Sequence, residues 1–152
     1  MCAIWDFRAR WYDFCESSDL RRGRDKASLF REMSGRCLFL ALGTGLDIPR
    51  FPPGLDITAI DISPGMLRRA RPRAEAYAGR LRLVQADALQ LCFPASSFET
   101  VVTSCTLCSV PRPVRVLREL RRVLRPGGRL LMFEHVRSRQ PILGLALDAM
   151  TL

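Results

Sequence analysis

A chain of 152 residues with 48% hydrophobic and 26% charged residues can build one domain with a real core, and it is neither disordered nor collagen-like in composition. The formal net charge of +9 admits an anionic partner, but of the 24 basic residues only Lys26 is a lysine, a skew that reads first as codon bias with the arginines on solvated helix faces. No run approaches about 18 apolar residues and no secretory pattern heads the chain, so the six cysteines are expected to be reduced thiols of a cytoplasmic protein.

In chain order, residues 1–36 are polar, aromatic and arginine-rich and are expected to form an N-terminal helical cap. The cluster Trp5, Phe7, Trp11, Tyr12 and Phe14 reads equally as a lid over a ligand or as a helix packed on a sheet. A helix is predicted from about Leu20 to Met33, with Gly35 as its stop. Five apolar runs then read as strands: 37–42, 55–61, 81–87, 100–105 and 128–136. Several are apolar at successive positions, as in a parallel sheet covered on both faces.

Helical patterns separate the runs. Ser63-Pro64 reads as an N-cap followed by proline at the first helical position, opening a helix to about Tyr77 that Pro72 should kink or break. Residues 113–124 place Val116, Leu117, Leu120, Val123 and Leu124 on one stripe, and Arg-Pro-Gly-Gly is expected to end that helix. "FPPG" at 51–54 reads as a rigid turn. The expectation is an α/β, Rossmann-like, doubly wound and mostly parallel sheet of about five strands with flanking helices, over residues 37–140. Residues 141–152 form an apolar tail.

Ligands of such sheets bind beyond the carboxyl ends of the strands. The loop Gly43-Thr44-Gly45, the acids Asp61 and Asp87, and the segment 104–109 all fall at predicted strand ends. Glycines at 43 and 45 let bare backbone approach a ligand. Asp61 follows at about the spacing at which a carboxylate accepts from ribose hydroxyls. This suggests a nucleoside-bearing ligand; a tight turn with a helix-capping aspartate is the structural alternative. Ile48 stands where a nicotinamide site continues with a third glycine, which weakens that option. Asp87 is placed to accept from the exocyclic amine of adenine.

The ordered stretches "LALGTGLD", "AIDISPGML", "VQADALQLCFPASSFETVV", "LCSV" and "RVLRELRRVLRPGGRLLMFEHV" resemble class I S-adenosylmethionine-dependent methyltransferases. The subgroup contains quinone-biosynthesis, phospholipid N-methyl and thiol methyltransferases. The resemblance covers residues 37–137. It implies that Gly43 and Gly45 face the methionine end of S-adenosylmethionine, with Ala41 and Thr44 in the same cofactor site, and that Asp61 takes the ribose. It places Ile62 and Met66 beside the adenine, Asp87 and Ala88 at its amino group, and Ser104 in the same site. Tyr12 would close over the cofactor. The expected product is S-adenosylhomocysteine, and no metal is expected.

Two departures bear on activity. Phe39 stands where the family loop has an acid that helps anchor the methionine ammonium, and Ala41 where it has its first glycine. Losing a charge-assisted hydrogen bond costs about 1.5–3 kcal/mol, so weakened binding is expected, not abolished binding. The family sheet also has two strands beyond this chain's fifth. If the sequence is complete, the sheet edge is uncovered and the apolar tail would meet a second copy, a partner or a membrane surface; if it is a fragment, the missing part is expected to carry substrate contacts.

Glu134 and His135, with Tyr12, are the catalytic candidates, and Ser109 is an acceptor-side candidate. A histidine there could take a proton from a nucleophile, or simply bond to backbone. Cys105-x-x-Cys108 reads as buried thiols, since no second pair accompanies it. The expected function is methyl transfer to a small or lipid-like acceptor by in-line displacement. The alternative is a degenerate, non-catalytic cofactor-binding or partner subunit. Nucleic-acid binding rests on charge alone and is not expected.

Overall fold

The computed structural model describes residues 2–9, 12–13 and 22–134. Helix α1 spans Cys2–Arg8 and α2 spans Arg22–Phe30. Five strands follow: β1 Arg36–Leu40, β2 Asp56–Asp61, β3 Arg80–Gln85, β4 Phe98–Ser104 and β5 Leu124–Phe133. Helix α3, Pro64–Glu75, lies between β2 and β3, and α4, Pro113–Val123, between β4 and β5. Short 3-10 turns occupy Ile48–Arg50 and Leu107–Ser109.

The strands form one sheet in the order β3-β2-β1-β4-β5, and every pairing is parallel. From β1 the chain first winds outward to β2 and β3, then returns to β4 on the other side. The direction of winding therefore reverses between β1 and β4, and a crevice opens at their carboxyl ends.

Alternate side chains of one strand feed two cores. Cys37 and Phe39 of β1 pack with Phe30, Ile57 and Val102 on one face. Leu38 and Leu40 pack with Val101, Val116, Leu120 and Val123 on the other. This is why the central strands β1, β2 and β4 read as continuous apolar runs: both of their faces are covered, while the edge strands β3 and β5 stay partly exposed. On the first face Phe39, Phe30 and Phe51 form an aromatic cluster with ring centroids 5.0–5.8 Å apart.

The start of α3 follows the sequence. The Ser63 hydroxyl accepts from Met66 N at 3.1 Å and Pro64 occupies the first turn. The helix is not broken at Pro72: it runs on to Glu75, and Ala76 N donates to Pro72 O at 3.2 Å. Arg-Pro-Gly-Gly does not end α4 either. Leu124 already pairs with Phe98, and the next pairing on that ladder is Thr100 with Arg129. The tetrapeptide is taken up as a bulge inside β5, with Gly127 at a φ of 74°.

A block whose residues carried the family resemblance turns out to hold the scaffold together. From α4, Arg122 donates to Leu91 O at 2.9 Å and Phe93 O at 2.8 Å, while Glu119 accepts from Leu91 N at 2.9 Å. Helix and loop are thereby pinned at the amino edge of β4, away from the crevice.

Candidate functional site

The crevice is an open cleft at the carboxyl ends of the strands. It is built first from the end of β1. Ala41 turns the chain at a φ of 51°, a left-handed conformation that costs an L-residue about 1 kcal/mol or more. Gly43 continues the turn at a φ of 61°, and a Cβ there would come within 3.8 Å of the Tyr12 ring. Gly45 serves packing instead. A Cβ on it would meet Ile48 Cδ1 at 2.7 Å and Ala70 Cβ of α3 at 3.3 Å, so its bare backbone lets the loop settle on α3.

Asp61 closes β2 beneath this loop. Its carboxylate is buried and accepts from Gly43 N at 2.8 Å and from Ser63 N at 2.9 Å. Burial, the largest influence, pushes its pKa above the ordinary carboxylate value; the N–H groups of Ser63, Gly43 and Ile62 pull it back, and the charge of Asp6 adds to the push. A carboxylate offers about four acceptor positions, so capacity remains for hydroxyl donors. Asp87 follows β3 on the exposed rim, where Oδ1 accepts from Leu89 N at 2.8 Å and fixes the group at the cleft.

The opposite wall comes from the end of β4. The Ser104 hydroxyl is buried without a hydrogen-bond partner in the structure, in a residue that lines the cleft. Cys105 then turns at a φ of 51°, its N–H held by Phe133 O at 2.7 Å. Strained left-handed residues thus stand on both sides of the opening, the placement expected where backbone is shaped for a ligand. Glu134 stabilises this turn, accepting from Thr106 N at 3.1 Å and Leu107 N at 2.9 Å.

The N-terminal segment supplies the roof. Trp5 and Tyr12 line the cleft. Each is followed by an aspartate that ties the segment down. Asp6 Oδ1 accepts from Ser63 Oγ at 2.5 Å and from Gly65 N at 2.8 Å. Asp13 accepts from Thr44 Oγ1 at 2.5 Å and from Arg73 at 2.8 Å, and Arg73 also donates to Thr44 O at 2.8 Å. Burial acts to raise the Asp13 pKa, but the bonds from Thr44 and Arg73 and the Arg73 and Arg69 charges outweigh it and hold the carboxyl below its usual range.

Of the residues singled out in the sequence, Tyr12, Ala41, Gly43, Asp61, Ile62, Met66, Asp87, Ala88, Ser104 and Ser109 are brought together around the cleft. Thr44 and Gly45 are not: the Thr44 hydroxyl is committed to Asp13, and Gly45 packs on Ile48 and Ala70. Glu134 is turned onto the loop backbone, and His135 lies outside the described residues. Phe39 points into the aromatic core, not toward the ligand. Cys108 is exposed on its 3-10 turn instead of buried, with its thiol on Cys105 O at 3.5 Å. The sequence pattern does not single out the anchors Asp6 and Asp13. The repeat Trp5-Asp6-Phe7 and Tyr12-Asp13-Phe14, seven residues apart, is the signal that could have found them.

Residues 38–132 match the family described as "Methyltransferase domain". The chain belongs to this methyltransferase family. S-adenosylmethionine is the cofactor implied by the family together with solved neighbours described as S-adenosylmethionine-dependent methyltransferases. It is 36% identical over 143 residues to the phosphatidylethanolamine N-methyltransferase of Cereibacter sphaeroides, covering 92% of this chain and 68% of that one. It is 39% identical over 121 residues to the demethylmenaquinone methyltransferase of Thermus thermophilus, covering 77% of this chain and 55% of that one. The YcgJ protein of Bacillus subtilis shares the fold, with a TM-score of 0.74 at 23% identity over 84% of this chain and 57% of that one. This methyltransferase chain thus spans between about half and two thirds of each of these proteins. Among its described residues, no helix is long and apolar enough to cross a membrane.

Proposed function

We propose that the cleft binds S-adenosylmethionine and that the chain transfers the methyl group to an apolar, lipid-like acceptor. The observation that carries this reading is Asp61: a carboxylate held in burial at a raised pKa, locked to the loop backbone by Gly43, with acceptor capacity toward the cleft. Such a group is costly to the fold and is repaid by a ligand that donates hydroxyls.

The residues present fit the cofactor. Asp61 would take the ribose hydroxyls, Ile62 and Met66 would flank the base, and Asp87 would accept from its amine. Backbone at Ala41 and Gly43 and the unpartnered Ser104 hydroxyl would meet the amino-acid end. When bound, the cofactor supplies a methyl group on a positively charged sulfur that leaves as a neutral thioether. The protein's part is alignment and exclusion of water: Trp5 and Tyr12 cover the site, while Glu134 fixes the loop from which Ser109, Val110 and Pro111 meet the acceptor. Glu134 is therefore a positioning residue in this reading. The lining of the cleft as a whole exposes more apolar than polar surface, which supports an acceptor of the kind named in the phosphatidylethanolamine and demethylmenaquinone relatives. Residues 1–36 act as the cap and 37–140 as the binding core.

Ala41 and Phe39 favour a second reading, a cofactor-binding subunit without activity. Incubation with S-adenosylmethionine and phosphatidylethanolamine or a demethylated quinol, followed by S-adenosylhomocysteine release, separates the two. Release above the acceptor-free control supports transfer. Micromolar binding of S-adenosylhomocysteine without turnover on either acceptor supports the second.

A further inference from the structure

The mouth of the cleft carries a feature that cofactor binding does not use. Helix α1 is fixed at the carboxyl edge of the sheet, because Asp6 bonds to Ser63 and Gly65 at the start of α3. On its inner side Trp5 lines the cleft and Ala9, just past its end, is buried. A rotation of about 100° per residue puts Ile4, Phe7 and Arg8 together on the outer side, with the Arg8 guanidinium 5.3 Å from the centroid of the Trp5 ring. Ile4 is 59% exposed and Phe7 68%. Helix α4 begins at the same edge, two residues after Pro111 of the cleft lining, and its first turn presents Val114 at 60% exposure. Of the five large apolar side chains that stand exposed among the described residues, three therefore flank the opening; Leu130 and Met132 on β5 are the others.

Basic residues accompany these apolar points. Arg8, Arg112 and Arg115 are exposed beside them. Among the described residues, the two carboxylates of the N-terminal segment are turned inward, Asp6 onto α3 and Asp13 onto Thr44 and Arg73, while Asp87 stays exposed across the cleft. On α4, Glu119 is held by Arg122. We propose that this rim docks on an anionic lipid bilayer, with Ile4, Phe7 and Val114 entering the interface and Arg8, Arg112 and Arg115 meeting acidic headgroups. Apolar points interleaved with cations suit a lipid interface, whereas a nucleic-acid surface would leave Ile4 and Phe7 without a partner. The proposal deepens the lipid-acceptor reading, since docking in this orientation brings the cleft opening against the bilayer where such an acceptor resides.

The test is flotation of the full chain with phosphatidylcholine vesicles and with vesicles containing added phosphatidylglycerol. The chain should float with the second and much less with the first, and high salt should reduce the difference. Ile4→Ser with Phe7→Ser, and separately Arg112→Glu with Arg115→Glu, should each weaken partition about tenfold or more. Both variants should keep the wild-type affinity for S-adenosylhomocysteine, which shows the fold and cleft intact. Equal partition of wild type and both variants overturns the proposal. So does failure of the wild type to float with anionic vesicles, whether it instead self-associates or is retained on DNA. Flotation as expected without any S-adenosylhomocysteine binding would leave the docking face standing and remove the cofactor reading.

Discussion

Ala41 holds a φ of 51° on the rim of the cleft, a conformation for which glycine has no steric penalty. Ala41→Gly should therefore raise unfolding stability by about 1 kcal/mol in a urea titration, and a loss of stability would show that the alanine is not strained. Asp61 works in the opposite direction, trading stability for binding. Its folded pKa lies above the ordinary value, so the folded chain holds that proton more tightly than the unfolded one. Stability contributed by the protonated group is present at acid pH and is lost as pH rises through the raised value. Affinity for S-adenosylhomocysteine should run the other way, falling as pH drops into that window, because only the carboxylate accepts from two hydroxyls. Asp61→Ala should bind about tenfold or more weakly and show a flat acid profile; the same slope in the variant would remove Asp61 as its origin. Burial pushes the Cys37 thiol up to about 11, while Cys92 and Cys108 are exposed. Among Cys37, Cys92, Cys105 and Cys108, alkylation mapped by mass spectrometry should modify Cys92 and Cys108 first, with Cys37 protected until the chain unfolds.

Among the elements, local sequence decides some features and packing decides others. Helix starts at Pro64 and Pro113 were legible because proline at a first turn is a local signal. The central strands were legible because coverage on both faces leaves apolar runs. The bulge at Arg-Pro-Gly-Gly was not, because glycine and proline mark a helix stop and a β-bulge alike, and only pairing with β4 decides between them. Phe39 was legible as a departure from the family loop but not in its consequence. Its ring sits 5.0 Å from Phe51 and 5.8 Å from Phe30, so it is a core residue first. Phe39→Ala should cost about 3–5 kcal/mol of stability in denaturant unfolding, and a cost below about 1 kcal/mol would contradict this role. The anchors Asp6 and Asp13 were hidden for another reason: their partners Ser63 and Arg73 lie 57 and 60 residues away, beyond any local pattern.

At the scale of the molecule, one reversal of winding between β1 and β4 gathers every part of the cleft. Asp61, Asp87 and Ser104 were findable in the sequence because each ends or follows a strand, and strand ends in this topology converge on one crevice. The roof was less so, since the aromatic cluster at the start of the chain served a lid and a packed helix equally well. The structure puts Trp5 and Tyr12 over the cleft and leaves Phe7 outside it. The net charge of +9, read first as codon bias, acquires in the proposed docking a use at the rim.

The central claim is that this cleft grips an adenosine through Asp61. Titration calorimetry of S-adenosylhomocysteine into wild type and Asp61→Ala at neutral pH tests it most directly. The account expects micromolar binding by the wild type and at least about tenfold weaker binding by the variant. No heat with wild type at millimolar ligand, or equal affinity in the two proteins, would contradict it.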